Sequence, residues 1–136
     1  MNSMRPIDAL NVFIVDDSPI IVERLTSQLS DLKKVIVSGH ANTISSALNL
    51  IETHKPDAVL LDIHLENDAP AATGIDLLAM LRKKYPVMLI MMVTNMPEPQ
   101  YRDKCAELGA DFFFDKTSDM DELMETVQSI AHKTKA

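Results

Sequence analysis

Cysteine, glycine and long apolar segments are scarce in this sequence, and each shortage excludes a class of protein. Cys105 is the only cysteine, so no internal disulfide can form, and no CxxC or His/Cys spacing around it indicates structural zinc. We predict that Cys105 is buried in a helix. No apolar stretch reaches the roughly 18 to 20 residues that span a bilayer, and no signal peptide is recognisable, so we expect a cytoplasmic protein without membrane association.

Acidic residues outnumber basic residues. The chain of 136 residues has 20 acidic and 13 basic side chains, and its formal net charge of −7 disfavours direct binding of nucleic acid. With 46% hydrophobic residues it has the composition of one compact domain, whose core we place at about residues 10–133. The excess acid either binds a cation or keeps the protein soluble, and composition alone favours the second role.

Short apolar runs alternate with helical patterns along the chain. The runs predict five strands, at residues 12–15, 35–37, 58–61, 87–93 and 112–114. The third run is apolar at every position, as expected of a central parallel strand covered on both faces. A helix is predicted after each strand. The first begins at Pro19 with Ser18 as N-cap, the second follows Thr43, and the third ends at Tyr85. The fourth runs from about Pro97 to Leu108 with Gly109 as C-cap glycine, and the fifth runs through Met120 to Ala131.

Five strands that alternate with five helices predict an α/β fold, a (βα)5 doubly wound parallel five-stranded sheet with helices on both faces. In such sheets the functional site lies outside the carboxyl ends of the strands. The polar residues expected there are Asp16 and Asp17 after the first strand, Asp62 after the third, Thr94 at the end of the fourth and Lys116 after the fifth. Each alone is more typical of a turn, a helix cap or solvated surface, but unrelated residues would scatter over both ends of the sheet.

Three carboxylates packed together repel each other, and either raised pKa values or a divalent cation must relieve that repulsion. Oxygen ligands on a shallow acidic rim suit Mg²⁺, and no DxDxDG-type loop for calcium is present. With a cation bound, an unprotonated Asp62 could attack an activated phosphoryl group while Lys116 neutralises charge on the transferring oxygens. The product is an aspartyl phosphate, which the hydroxyl of Thr94 could sense.

These residues resemble the receiver domain of two-component response regulators, both single-domain chemotaxis regulators and the receivers of transcription factors. The resemblance covers nearly the whole chain, and its motifs are VFIVDDSP at 12–19, PDAVLLD at 56–62, Gly74 opening the third helix, MMVT at 91–94 and GADFFFDK at 109–116. It implies a flavodoxin-like sheet with strand order 2-1-3-4-5. It also implies a signalling switch rather than an enzyme, phosphorylated by a histidine kinase or a phosphotransfer protein, with an output partner that stays open.

The resemblance assigns roles in phosphorylation to individual residues. Asp62 is the expected phosphoacceptor. Asp17 and Asp62 are expected to bind Mg²⁺ directly, together with the backbone carbonyl of His64, while Asp16 helps through water. Lys116 is expected to clamp the phosphoryl group.

A second set of residues is expected to respond to the phosphoryl group. The resemblance implies that Thr94 is the switch hydroxyl and that Phe113, three residues before Lys116, is the aromatic side chain that changes rotamer with it. Because only alternate residues of a strand share a face, we expect Phe112 and Phe114 to face away from Phe113. The surface of the fourth helix, fifth strand and fifth helix is expected to change its partners.

The sequence departs from the family pattern near the expected site. Glu66 stands where the family usually carries proline, and the segment from Glu66 to Gly74 is longer than usual. Asn95 replaces the small residue that commonly follows the switch threonine. Thr117 follows Lys116 in place of the usual proline, which excludes a cis proline there. These changes bear on phosphorylation rates and loop geometry more than on the assignment itself.

Other functions stay open at this point. The runner-up is a degenerate receiver that acts as a phosphate-independent protein-binding module. A phosphatase of the haloacid-dehalogenase type expects DxD after the first strand, which Asp16-Asp17-Ser18 does not supply, and a flavin or nucleotide carrier expects a glycine-rich first turn, whereas the chain has only three glycines. The initial Met1 and the polar tail slightly favour a stand-alone regulator over a receiver cut from a longer one. Dimerisation on phosphorylation is left open.

Overall fold

The computed structural model describes residues 8–65, 73–95 and 98–134, which form one five-stranded sheet with helices on both faces. In chain order the elements are β1 (Leu10–Val15), α1 (Pro19–Ser30), β2 (Val35–Ala41), α2 (Ile44–His54), β3 (Ala58–Leu61), α3 (Gly74–Lys84), β4 (Leu89–Thr94), α4 (Pro99–Glu107), β5 (Phe112–Asp115) and α5 (Met120–Thr134). The strand order is β2-β1-β3-β4-β5 and every pairing is parallel. The predicted fold and strand order are confirmed.

The sheet separates two hydrophobic cores. One core packs α2, α3 and α4 against one face of the sheet, and it contains Phe13, Ala47, Ile51, Leu77, Leu81, Met92 and Cys105. The other core packs α1 and α5 against the opposite face, and it contains Ile14, Leu25, Leu29, Phe114, Leu123 and Val127. All four residues of β3 are buried, as a strand covered on both faces requires. Cys105 is fully buried on α4, which confirms that prediction.

Side-chain caps fix the starts of α1 and α2, which lie at the edge of the sheet where the strands end. The hydroxyl of Ser18 accepts from the amide of Ile21, and Pro19 occupies the first turn of α1. Thr43 caps α2 in the same way. At the far edge Gly109 ends α4 with φ +103°, a left-handed backbone conformation in which glycine has no Cβ penalty.

None of the described helices is long and apolar enough to cross a membrane.

Two strand boundaries differ from the prediction. β2 continues past residue 37 to Ala41, because it pairs with the whole of β1 even where Ser38, Gly39 and His40 interrupt its apolar pattern. β4 begins at Leu89 and not at Val87, since a turn follows Pro86 and the side chain of Val87 is 95% exposed. The predicted start of α4 at Pro97 lies outside the described residues.

Candidate functional site

The carboxyl ends of β1, β3, β4 and β5 carry the five polar side chains that the sequence predicts there. Asp16 and Asp17 follow β1, Asp62 follows β3, Thr94 ends β4 and Lys116 follows β5. Backbone hydrogen bonds hold these ends in register: the amide of Asp62 donates to the carbonyl of Val15 at 3.0 Å, and the amide of Lys116 donates to the carbonyl of Thr94 at 2.9 Å. The parallel sheet therefore brings the predicted set to one edge.

Lys116 joins two of the carboxylates. Its Nζ lies 2.6 Å from Oδ2 of Asp16 and 2.9 Å from Oδ2 of Asp62. The lysine side chain is only 6% exposed, and the two carboxylates are buried as well. The ammonium offsets one of the two buried negative charges, and both carboxylates depend on it because charges removed from water need a partner. Lys116 is therefore held beside Asp62, the residue that the sequence predicts as phosphoacceptor.

Burial and pairing shift the pKa values of Asp16 and Lys116. Burial raises the pKa of Asp16 above its ordinary value, although hydrogen bonds from Lys116 and from the backbone amide of Ser18, at 2.9 Å, oppose the shift. Burial alone would lower the pKa of Lys116, but its hydrogen bonds to Asp16 and Asp62 outweigh that effect and raise it. The lysine is therefore firmly protonated at neutral pH, and negative charge at Asp16 is costly.

Asp17 completes an acidic group. One carboxylate oxygen from each of Asp16, Asp17 and Asp62 lies within 4.8 Å of the other two, and Asp17 is exposed to solvent. Within the described residues the Asp17 carboxylate has no hydrogen-bond or ion-pair partner. Three carboxylates and one ammonium leave two negative charges in excess, and a divalent cation would balance them. The all-oxygen donor set at the mouth of the site fits Mg²⁺, which retains several waters.

His64 lies beside the acidic group through its backbone. Its amide points to Oδ1 of Asp62 at 3.4 Å, and its imidazole is exposed. The distance is at the long end for a hydrogen bond, so the contact is weak. The backbone of His64 is therefore near the expected phosphoacceptor, as a carbonyl ligand would require, while its side chain is exposed to solvent.

Thr94 and Phe113 lie on the same face of the sheet. Thr94 is fully buried, and two residues before it Met92 is paired with Phe113 across β4 and β5. Phe113 packs with the core of α2, α3 and α4, whereas Phe112 and Phe114 stack on each other with ring centroids 5.9 Å apart on the opposite side. The predicted alternation of the three phenylalanines is confirmed. Thr94 and Phe113, the expected switch pair, therefore lie on one face of the sheet, as direct coupling between them requires.

Comparison with known families settles what kind of domain carries this site. Residues 12–128 match the model of the response regulator receiver domain. This chain belongs to the response regulator receiver family. The match runs from within β1 into α5, so it includes β2 to β5, most of β1 and every residue of the predicted site.

The proteins that this chain is similar to include several bacterial regulators. The DNA-binding transcriptional activator EvgA of Escherichia coli is 28% identical over 120 residues, which cover 88% of this receiver and 56% of EvgA. The receiver domain of the response regulator NarL from Mycobacterium tuberculosis is 29% identical with a TM-score of 0.77, over 91% of this chain and 97% of that one. The CheX–CheY–BeF3–Mg complex from Borrelia burgdorferi matches with 26% identity and a TM-score of 0.78, over 89% of this chain and 88% of the other. The receiver spans about half the length of the curated relatives it matches.

The positions that depart from the family pattern are only partly described. Most of the segment from Glu66 to Gly74, residues 66–72, lies outside the described residues. Asn95 directly follows β4 and its side chain is exposed. Thr117 donates its amide and its hydroxyl to Oδ1 of Asp115, at 2.8 and 2.7 Å. These bonds turn the chain after Lys116, where the family usually carries proline.

Gly74 holds the start of α3 against the end of β3, next to Asp62. Its amide donates to the carbonyl of Ile63 at 2.7 Å, and a Cβ built on it would lie 1.8 Å from the backbone oxygen of Asp62. No side chain fits in that space. From the sequence Gly74 is only a motif position, and the one signal that could have revealed its role is the rarity of glycine in the chain. Glycine is required here because the helix start and the end of β3 touch through their backbones.

Gly74→Ala is expected to lower the free energy of unfolding by about 3–5 kcal/mol, because the start of α3 must move away from the backbone of Asp62. Urea unfolding followed by far-UV circular dichroism measures the change. Gly39→Ala is the matched control: the atom nearest to its Cβ belongs to the exposed His54, which can turn away, and the ring of the buried Phe13, at 3.1 Å, needs to shift by only a few tenths of an ångström. Equal losses in the two variants would contradict the assigned role of Gly74.

Proposed function

We propose that this receiver is a magnesium-dependent phosphorylation switch in which Asp62 accepts the phosphoryl group. One observation carries the proposal: the buried carboxylate of Asp62 lies 2.9 Å from the Lys116 ammonium and within 4.8 Å of the carboxylates of Asp16 and Asp17. A nucleophilic carboxylate, a fixed cation and a set of oxygen ligands are what phosphoryl transfer to an aspartate requires. Membership of the receiver family supports the same function.

The metal-holding residues follow from the donor set. The carboxylates of Asp17 and Asp62, with the backbone carbonyl of His64, would hold Mg²⁺ directly, and Asp16 would do so through water. When bound, Mg²⁺ supplies positive charge at the oxygens of the transferring phosphoryl group. The presence of BeF3 and Mg in the complex of the CheY from Borrelia burgdorferi, which is 26% identical to this chain, supports this choice of ion.

Phosphoryl transfer would then proceed at the carboxylate of Asp62. One of its oxygens attacks phosphorus, the bond from phosphorus to the donor breaks, and the bonding electrons leave with the donor group. Lys116 already lies within hydrogen-bond distance of the Asp62 carboxylate, so its ammonium is placed beside the charge that develops on the phosphoryl oxygens. Burial of both side chains keeps water from weakening that interaction.

The response to phosphorylation would pass through Thr94 and Phe113. The Thr94 hydroxyl can donate a hydrogen bond to a phosphoryl oxygen on Asp62, which would draw the end of β4 towards the site. Phe113 shares the sheet face of Thr94 and would change rotamer as that space changes. The surface formed by α4, β5 and α5 would then bind different partners.

A histidine kinase or a phosphotransfer protein is the proposed donor. An open groove of about 540 Å³ borders Asp16 and Asp17, between the start of α1 and the end of β2, and gives a donor side chain a path to the acidic group. The formal charge of −7 does not favour nucleic acid as a direct partner of this domain.

Phosphoryl uptake tests the proposed function. Purified protein is incubated with acetyl phosphate and either Mg²⁺ or EDTA, and its intact mass is followed over time. We expect one phosphoryl group to be added with Mg²⁺ and none with EDTA. If uptake is absent or independent of Mg²⁺, the proposal is wrong, and a phosphate-independent binding module becomes the better interpretation.

Mg²⁺ is expected to stabilise the folded protein. At a Mg²⁺ concentration of about a hundred times its Kd, binding to the folded state alone adds about 2.7 kcal/mol to the free energy of unfolding. Asp17→Asn should lose most of this gain, because it removes a ligand without disturbing a buried contact. Thermal unfolding with and without Mg²⁺ measures both proteins. A Mg²⁺ effect of equal size in the wild type, in Asp17→Asn and in the distant control Asp31→Asn would exclude Asp17 as a ligand.

A further inference from the structure

Arg102 of α4 covers the ring of Phe113. Its guanidinium carbon lies 4.7 Å from the ring centroid, well within the distance of about 6 Å at which a cation is attracted to an aromatic face. Phe113 is half-buried and packs on the core of α2, α3 and α4, whereas Arg102 is exposed. The ring is therefore held between the protein interior and one charged side chain at the surface.

Phe113 has few other means of holding one orientation. It has no hydroxyl group, so no hydrogen bond can hold the ring, and its rotamer depends on packing and on the guanidinium. The contact exists together with a direct hydrogen bond of 2.9 Å from the Lys116 ammonium to Oδ2 of Asp62. In the proposed function a phosphoryl group on Asp62 takes over this contact with Lys116, so the orientation that Arg102 covers is the one that accompanies the direct ion pair before transfer.

We propose that Arg102 is a positioning residue that favours the unphosphorylated orientation of Phe113 and so sets the threshold of the switch. The inference rests on the proposed function, in which Phe113 changes rotamer when Asp62 is phosphorylated. A contact that stabilises one of two conformations reduces the population of the second. The apparent affinity of any ligand that prefers the second conformation falls by the same factor. Arg102 therefore opposes binding of a phosphoryl group or its mimic at Asp62, although it lies on a different element.

The size of the effect follows from the exposure of Arg102. An exposed cation–π contact changes a two-state equilibrium by about twofold to fivefold. Arg102→Gln, which keeps much of the side-chain length but removes the charge, should therefore bind beryllofluoride with Mg²⁺ about twofold to fivefold more tightly than the wild type. Arg102→Lys keeps a cation and should lie between the two. Lys104→Gln makes the same charge change on the same helix and should match the wild type.

A double-mutant cycle separates the contact with Phe113 from a general effect of charge. Beryllofluoride affinity is measured by NMR titration at constant Mg²⁺ for the wild type, Arg102→Gln, Phe113→Leu and the double variant. We expect Arg102→Gln to tighten binding in the wild type and to have no effect once the ring is absent, as coupled residues behave. Unchanged or weaker binding in Arg102→Gln, or an equal gain in Lys104→Gln or in the Phe113→Leu background, would overturn the inference.

The same titration separates a failure of the proposed function from a failure of the role of Arg102. If the wild type binds no beryllofluoride in the presence of Mg²⁺, the proposed function fails and the role of Arg102 fails with it. If the wild type binds and Arg102→Gln behaves as Lys104→Gln does, only the role of Arg102 is wrong. The ring resonances of Phe113, assigned by comparison with Phe113→Leu, should shift in Arg102→Gln towards their positions in the beryllofluoride-bound wild type.

Discussion

Asp62→Asn is expected to abolish phosphoryl uptake from acetyl phosphate. The amide has nearly the shape of the carboxylate, and its oxygen can still accept a hydrogen bond from Lys116, so the fold should persist. An amide oxygen is a far weaker nucleophile than a carboxylate, however, and the product it would form is not stable. The measurement is intact mass after incubation with Mg²⁺ and acetyl phosphate at several times.

Asp31→Asn serves as the control for the loss of one negative charge. Asp31 lies just after α1 and is exposed, and this variant should be phosphorylated as the wild type is. Far-UV circular dichroism and thermal unfolding of Asp62→Asn confirm that the variant is folded. A folded Asp62→Asn protein that gains a phosphoryl group at the wild-type rate would show that another residue is the acceptor.

Lys116→Met is expected to slow phosphoryl uptake by about a hundredfold to a thousandfold, the effect of removing one fixed donor from a site where charge develops in the transition state. Methionine fills much of the same volume but leaves Asp16 and Asp62 without their shared ammonium. Their mutual repulsion should also lower the free energy of unfolding when Mg²⁺ is absent. Single-turnover uptake from acetyl phosphate, followed by intact mass, gives the rate.

The control for this variant is Lys133→Met, which removes an exposed ammonium from the last turn of α5. It should leave both the rate and the stability unchanged. If Lys116→Met is phosphorylated as fast as Lys133→Met, the ammonium is a structural counter-ion for the two carboxylates and takes no part in transfer.

The central part of the fold could be predicted from the sequence because burial leaves a clear pattern there. The apolar run predicts β3 with its observed bounds, since a strand covered on both faces must be apolar at every position. Asp62 follows it as the first polar residue, so its place at the carboxyl edge was predictable as well. The same pattern predicts edge strand β2 too short, because the polar Ser38 and His40 interrupt its apolar run.

The side-chain contacts around the site could not be predicted from the sequence. The rules for parallel sheets bring Asp16, Asp62 and Lys116 to one edge, but they do not say that the ammonium contacts both carboxylates at once. Likewise, Arg102 and Phe113 lie on consecutive elements, and no spacing rule joins a helix residue to a residue of the following strand. Such pairs depend on side-chain directions and on helix placement, which neither period nor composition records.

The central claim, that Asp62 carries the phosphoryl group, is tested most directly on the wild-type protein. Borohydride reduction after incubation with acetyl phosphate and Mg²⁺ converts an aspartyl phosphate to homoserine, and peptide mass spectrometry then locates the modified residue. We predict homoserine at position 62 and at no other aspartate, and no homoserine when EDTA replaces Mg²⁺. Modification at a different residue, or none in a protein that is folded and saturated with Mg²⁺, would contradict the claim.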